Sequence, residues 1–215
     1  MRYRLVIFDF DGTLADSFSF FLNSLDTLAQ AHDFNRFDPR DLERIRRYDT
    51  RQLLRHFAIP LWKVPRLARH FQRLMAESSH IVQPFEGIPM MLETLHNAGL
   101  QVAVVTSNSS DNVQRILGES SRYLGRIECG APLLGKSSRF KRIAAHFGTV
   151  PEAVMCVGDE LRDIQAARRA GFACGAVGWG YASPDTLCAV EPDCFFGCIE
   201  DMTHTLISHS TTELA

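Results

Sequence analysis

Hydrophobic and polar positions follow two different patterns along this chain. Leu5 to Phe8 form an unbroken apolar run, short enough to be a strand buried on both faces. Between residues 16 and 83 no comparable run occurs. Apolar positions there recur at three- and four-residue intervals, in "SFSFFLNSLDTLAQAH", "PRDLERIRR", "RQLLRHFA" and "KVPRLARHFQRLMAES", and each stretch predicts a helix. From about residue 84 short β-rich runs return, as "QVAVVTSN", "GRIECGA", "AVMCVGDE", "FACGAVGWG" and "PDCFFGC", with helical segments between them. Strands alternating with helices predict right-handed βαβ units and a parallel sheet covered on both faces. The expected fold class is therefore α/β: a Rossmann-like, doubly wound parallel sheet from residues 1–15 and 84–215. Residues 16–83 are inserted after the first strand as a small α-helical block. The last residues, "SHSTTELA", are expected to fray.

In open sheets of this kind, ligands bind beyond the carboxyl ends of the strands. The polar clusters fall at those ends. Asp9 and Asp11 follow the first strand. Thr106, Ser107 and Asn108 follow "VAVV", Asp159 and Asp163 follow "VMCV", and Lys136 opens a helix in "LLGKSS". Two carboxylates one residue apart repel each other and resist desolvation, so they call for positive partners. One carboxylate can attack a phosphoryl group and carry it covalently. The other can protonate the leaving oxygen and then deprotonate water. Phosphoryl transfer needs charge neutralisation, usually by Mg²⁺ on one or two carboxylates, with Asp159 as a further oxygen donor. Asp163, one helical turn on, can serve the metal through water or orient Lys136. The strand-to-helix turn at Thr106 offers a hydroxyl, an amide and free N–H groups to a phosphate.

Each piece taken singly has a plainer reading. "DFDGT" can be an acidic turn, "TSNSSDN" a helix N-cap, and "GDELRD" a strand-to-helix turn capped by Asp159. Their joint order, each at a strand end, is more than capping requires. That order resembles the haloacid dehalogenase-like hydrolase superfamily, in its phosphoglycolate-phosphatase-like branch. The first motif matches "DFDGT" at 9–13, the second Thr106, the third Lys136, and the fourth "GDELRD" at 158–163 followed by "IQAARRAG". The resemblance implies that Asp9 is the nucleophile and Asp11 the general acid/base, with Thr106 and Lys136 on the phosphoryl group. It implies Mg²⁺ between the Asp9 carboxylate, the Asp11 carbonyl and Asp159, and a small helical cap made by residues 16–83. The lysine loop lacks the Lys-Pro of many relatives, which keeps Lys141 as an alternative. The implied activity is hydrolysis of a small phosphorylated metabolite, a phosphoglycolate-like monoester. A phosphomutase or a non-catalytic binding protein of the same fold are the rivals.

Composition narrows the partners. Apolar residues make up 46% and charged residues 22%, with a formal net charge of −2, which gives no case for nucleic acid. Charges at Arg2, Arg4, Asp9 and Asp11 interrupt any leader-like segment, and no apolar run is long enough for a membrane helix, so a cytoplasmic monomer or homodimer is expected. Six cysteines contain no CxxC pair. A zinc site from Cys188, Cys194, Cys198, His204 and His209 would have irregular spacing, and core packing is the better reading. Residues 33–73 hold eleven Lys and Arg against five Asp and Glu. Most of these cations read as a solvated face, but Arg46, Arg47 and Tyr48, in the break "RRYDT", are expected to face the site, with Arg47 on the substrate. Trp179 and Tyr181 are candidates for its rim.

Overall fold

The computed structural model describes residues 3–78, 81–130 and 135–208. The terminal stretch from residue 209, expected to fray, and the candidate ligand His209 lie outside the described residues. The first half of the chain runs β1 (Leu5–Phe8), α1 (Phe18–His32), α2 (Leu42–Ile45), α3 (Thr50–His56), α4 (Val64–Glu77), α5 (Ile88–Asn97) and β2 (Gln101–Val105). The second half continues with α6 (Ser110–Leu117), β3 (Arg126–Glu128), α7 (Lys136–His146), β4 (Val154–Gly158) and α8 (Leu161–Ala170). It closes with β5 (Ala173–Val177), α9 (Pro184–Cys188), β6 (Cys194–Phe196) and α10 (Ile199–Ser208).

Among the described residues six strands lie parallel in one sheet of order β3-β2-β1-β4-β5-β6. The first strand is central: Phe8 pairs with Val104 on one side and Val157 on the other. Its lack of alternation has a direct cause. Val6 and Phe8 pack with Leu92, Leu95 and Val104 on one face, while Leu5 and Ile7 pack with Phe140, Ile143 and Ile164 on the other. Burying each such side chain contributes about 1.5–3 kcal/mol, so a polar residue anywhere in β1 has no tolerable face. From β1 the chain winds outward to β2 and β3, then returns to β4 and winds the other way. The crevice between the ends of β1 and β4 is therefore the topological switch point, where such sheets bind ligands.

Helices α1 to α4 lie between β1 and β2, and the described residues there contain no strand. The capping box of Asp49 and Gln52 starts α3. The chain leaves the sheet and returns to it through two segments lying side by side: the Asp16 amide donates to the Gln83 carbonyl (2.9 Å) and the Phe85 amide to the Leu14 carbonyl (3.0 Å). Among the described residues no helix is long and apolar enough to cross a membrane. Cys156 and Cys174 are buried as core residues, whereas Cys188 is exposed.

Candidate active site

The loops that follow β1, β2 and β4 meet at the switch point, together with the start of α7. Asp9 is the residue after β1, 4% exposed, with one carboxylate oxygen accepting the Phe10 amide at 2.8 Å. Its other oxygen lies 2.8 Å from the Lys136 ammonium, which also bonds Asp163 at 2.5 Å. Asp163 sits in the first turn of α8, and its second oxygen accepts the Glu160 amide at 3.1 Å. Both oxygens of Asp163 are thus engaged, and its placement orients Lys136.

The chain turns sharply after Asp9. Gly12 takes φ +77°, and a Cβ on it would run into the Asp159 carboxylate and the Tyr181 ring. Glycine is required there both by the left-handed backbone and by the close approach. The turn brings Thr13 to Asp159, its hydroxyl donating at 2.9 Å, while the Tyr181 amide donates to the other Asp159 oxygen at 2.8 Å. Asp11 points to the Asn108 side-chain amide, 3.1 and 3.2 Å from its two oxygens. Asn108 is itself fixed, because its backbone N–H donates to the Thr106 hydroxyl oxygen (2.9 Å) and its side-chain oxygen accepts from Asn112 (2.8 Å). The Thr106 oxygen acts as acceptor in that bond, which leaves its hydroxyl hydrogen for a phosphoryl oxygen.

Burial governs the electrostatics. Burial first, then the neighbouring Asp9 charge, raises the Asp11 carboxyl to about 6, against the hydrogen bonds from Asn108 and Ser17. A carboxyl raised to about 6 can gain and lose a proton close to neutral pH, which suits general acid/base chemistry. Burial also raises Asp9, with Lys136 opposing it. For Lys136, burial works to lower the ammonium, but Asp163 and Asp9 outweigh it and push it up to about 12. Asp159 is raised well above the usual carboxylate range, by burial and then by the charges of Glu160 and Asp9. Among the described residues no Lys or Arg pairs with it; Arg162 is taken by Glu160.

Three of these carboxylates are grouped closely enough to hold a cation. Asp9, Asp159 and Asp163 are all buried and bring carboxylate oxygens within 4.8 Å of one another. The donors are hard oxygens, which suit Mg²⁺ rather than a thiophilic metal. Asp159 is buried, with no Lys or Arg paired to it among the described residues, so its ionised form would need a cation beside it, which fits a metal there.

Beyond Asp11 the site opens into a cavity of about 240 Å³, lined by α1, α3 and α4 and by Ser107, Glu160, Leu161, Arg162 and Tyr181 of the sheet's rim. The residues expected from sequence are placed as follows. Asp9, Asp159, Asp163 and Lys136 come together directly, while Asp11, Thr106 and Asn108 form a second, connected cluster. Ser107 lines the cavity, and its carbonyl accepts from Gln72 of α4. Lys141, the alternative lysine, lies on an exposed position of α7. Arg47 is exposed and does not line the cavity; its neighbour Arg46 does. The two residues lie in the turn that ends α2, and their side chains diverge there. Arg46 closes α2, where its side chain donates to the Gly180 carbonyl (3.1 Å) and stacks on Phe18, 5.3 Å from the ring centre. Arg47, one residue on, turns to solvent.

Several site residues carried no sequence signal of their own. Glu160 and Arg162 read as ordinary charges at a helix start, and Gln72 and Met75 as parts of a helical stripe. Met75 accepts a hydrogen bond from Asn108, and Asn112 donates to the Gln72 carbonyl (3.0 Å), so α4 is tied to the loop that holds Asp11. Tyr181 does reach the site, bonding Ser17 at 3.0 Å, while the Trp179 indole donates to the Thr13 carbonyl at 3.2 Å.

Comparison with known proteins agrees with this geometry. The profile of the haloacid dehalogenase-like hydrolases matches residues 6–177. A phosphoglycolate phosphatase of Synechococcus elongatus is 33% identical over 196 residues, covering 88% of this chain and 91% of that one. An N-acetylmuramic acid 6-phosphate phosphatase of Pseudomonas aeruginosa is 28% identical over 194 residues, covering 86% of each. The crystal structure of a predicted phosphoglycolate phosphatase from Haemophilus somnus shares the fold, with a TM-score of 0.76 at 21% identity over 95% of this chain and 98% of that one. A profile match across most of the length, together with a relative above 30% identity, places the chain: it belongs to the haloacid dehalogenase-like hydrolases, in their phosphoglycolate-phosphatase-like branch.

Proposed function

We propose that this enzyme is a Mg²⁺-dependent phosphatase that hydrolyses a small phosphomonoester through a phosphoryl group carried on Asp9. One observation carries the reading. A buried carboxylate sits between a lysine ammonium and a backbone N–H, and a second carboxyl two residues on is raised to about 6. The Asp9 carboxylate attacks phosphorus, and the ester P–O bond breaks as Asp11 gives its proton to the departing oxygen. Asp11, now a carboxylate, takes a proton from water. The water oxygen then bonds to phosphorus, and inorganic phosphate leaves Asp9 free. Lys136 and Thr106 hold the equatorial oxygens, where charge accumulates during transfer. Asp9, Asp159 and the Asp11 carbonyl would hold Mg²⁺, which supplies charge neutralisation and alignment of the phosphoryl group. Asp163 keeps Lys136 in place. Residues 16–83 act as a cap over this centre, moving about the paired segments at Asp16 and Pro84.

The Synechococcus relative makes phosphoglycolate the first ester to try. Release of inorganic phosphate from phosphoglycolate and from a chromogenic aryl phosphate tests the reading, with Mg²⁺ and after EDTA treatment. Stoichiometric, metal-dependent release is the expected result. Transfer of the phosphoryl group to a second position of the substrate would mean a mutase. Absence of any turnover would make the chain a binder of the same fold.

A further inference from the structure

Among the described residues, two buried side-chain nitrogens lack a hydrogen-bond partner: the Nε atoms of Arg46 and Arg162. Both residues line the cavity beyond Asp11. A buried N–H without a partner is costly, so two of them in one wall call for a reason. Each guanidinium uses a single prong of its fork. Arg46 donates through Nη2 to the Gly180 carbonyl (3.1 Å), and Arg162 pairs through Nη2 with Glu160. In both, the Nε donor is left over, although a guanidinium can offer two parallel donors to one carboxylate. Neither Nε is open to water as the side chains stand, so occupation requires each guanidinium to turn about its one bond.

The cavity's acids are committed where its bases are not. Both Asp11 oxygens accept from Asn108, Asp49 accepts the Gln52 amide at the start of α3 (2.7 Å), and Glu160 is matched by Arg162. Much of the remaining wall is apolar, with Phe21, Leu53, Leu67 and Phe71 in it, and such surroundings strengthen any charge pairing they enclose. The two arginines also stand where the alcohol part of an ester must go, because Asp11, the proposed acid for the leaving oxygen, lines the cavity whereas Asp9 does not. Arg162 comes from the first turn of α8, beside Asp163, and its charge acts on both Asp9 and Asp11. Arg46 comes from the helical insert. Its carbonyl accepts the Ser183 amide (2.9 Å), which holds the end of α2 against the loop after β5. Nine of the eleven Lys and Arg in residues 33–73 are exposed, and of the eleven Arg46 alone lines the cavity.

We propose that Arg162 and Arg46 are the specificity-determining residues of this enzyme, gripping a carboxylate on the alcohol part of the phosphomonoester, one from the sheet's rim and one from the helical insert. The assignment rests on the phosphatase reading and deepens it: the phosphoryl group stays at Asp9, and the second anionic group is read across the cavity. The apolar wall excludes water and has no directional preference, so direction comes from the two guanidiniums. Glu160 holds Arg162 in the absence of that carboxylate and competes with it when it arrives.

The test is calorimetric binding of 3-phosphonopropionate and of its carboxamide to the whole chain in Mg²⁺ buffer. The first replaces the ester oxygen of phosphoglycolate by a methylene and cannot be hydrolysed, so binding is read apart from turnover. The second keeps the shape and removes the carboxylate charge. The acid is expected to bind about 10- to 100-fold more tightly than the amide. That ratio should fall to within about threefold of unity in Arg162→Gln, fall several-fold in Arg46→Gln, and stay as it is in Arg47→Gln. Should Arg162→Gln fail to fold, Glu160→Gln keeps Arg162 and frees its fork, and the ratio should rise. Equal binding of acid and amide, a ratio unchanged in Arg162→Gln, or a ratio that does not rise in Glu160→Gln overturns the proposal. Phosphate release from phosphoglycolate separates the two claims. Preference for the acid with no release from any ester overturns the phosphatase reading and supports the arginine assignment. Release with equal binding of acid and amide does the reverse.

Discussion

At the Asp9 end of the cleft, buried carboxylates are matched by Lys136, by the Thr13 hydroxyl and by backbone N–H groups of Phe10, Glu160 and Tyr181. At the other end, half-buried side chains such as Leu53 and Phe71 face a cavity that no described side chain fills. The first arrangement holds charge in place and is costly to disturb, because each group removed leaves a buried partner uncompensated. The second is non-directional, so its wall can change one residue at a time with graded effects. The contrast separates what the enzyme does to a phosphoryl group from which alcohol it accepts. Mutations at the two ends should therefore differ in kind as well as in size.

The largest effect is expected at the proposed nucleophile. Asp9→Asn keeps size and burial but removes the attacking charge, and kcat should fall by about 10³-fold or more, with the fold intact by circular dichroism. Residual activity near that of the wild type would remove covalent catalysis from the account. Asp11→Asn comes next, with a loss of about 10²–10⁴-fold on alkyl phosphates. The loss should be smaller on nitrophenyl phosphate, whose leaving oxygen scarcely needs a proton. Equal losses on both esters would deny Asp11 its role as acid.

Arg46 and Arg47 sharpen the comparison at the helical end. Arg46→Gln loses the bond to Gly180 and the stacking on Phe18, and should raise KM several-fold, by about 1 kcal/mol, with kcat changed less. Arg47→Gln, at an exposed site, should leave both constants unchanged. A reversal of that order would return the sequence-based choice of Arg47.

The smallest effect expected is a pH dependence of the helical insert. His32 on α1 bonds His70 on α4 at 2.9 Å, and burial, then the charges of His70, Arg66 and Lys63, lower its pKa below the ordinary 6.5. The unfolded chain therefore takes up this proton first as pH drops. The contribution of His32 to stability is present above about pH 6.5 and is lost as pH falls towards the lowered folded value. Melting temperature should decline between pH 7.5 and 5.5, and His32→Gln should weaken that decline. An identical decline in the variant would clear His32 of the effect.

How much of this was legible in the sequence follows the same division. The central strand showed itself because a segment buried on both faces has no alternation. The catalytic loops showed themselves because strand ends place chemistry within one to six residues of an apolar run, as in Asp9, Thr106 and Asp159. Even there, some contacts stayed hidden: Glu160 and Arg162, two residues apart at the start of α8, pair inside "GDELRD" without marking the site. The cavity was not legible. Its wall comes from α1, α3 and α4, and one stretch of sequence does not reveal how amphipathic helices turn toward one another. The excess of arginine in residues 33–73 suggested a basic lining, but charge is counted along the chain whereas exposure is decided in space. The choice between Arg46 and Arg47 turned on a shift of one residue in the turn that ends α2.

The central claim is that Asp9 carries the phosphoryl group between two half-reactions. The most direct measurement is rapid acid quench during turnover with Mg²⁺ and a good ester, followed by mass spectrometry of the intact chain and its peptides. The account predicts one phosphoryl group per chain, localised to the peptide containing Asp9. It should be enriched in Asp11→Asn, where water attack is slowed, and absent in Asp9→Asn. Phosphate release with no labelled chain at any quench time in Asp11→Asn, or a label on any residue other than Asp9, would contradict it.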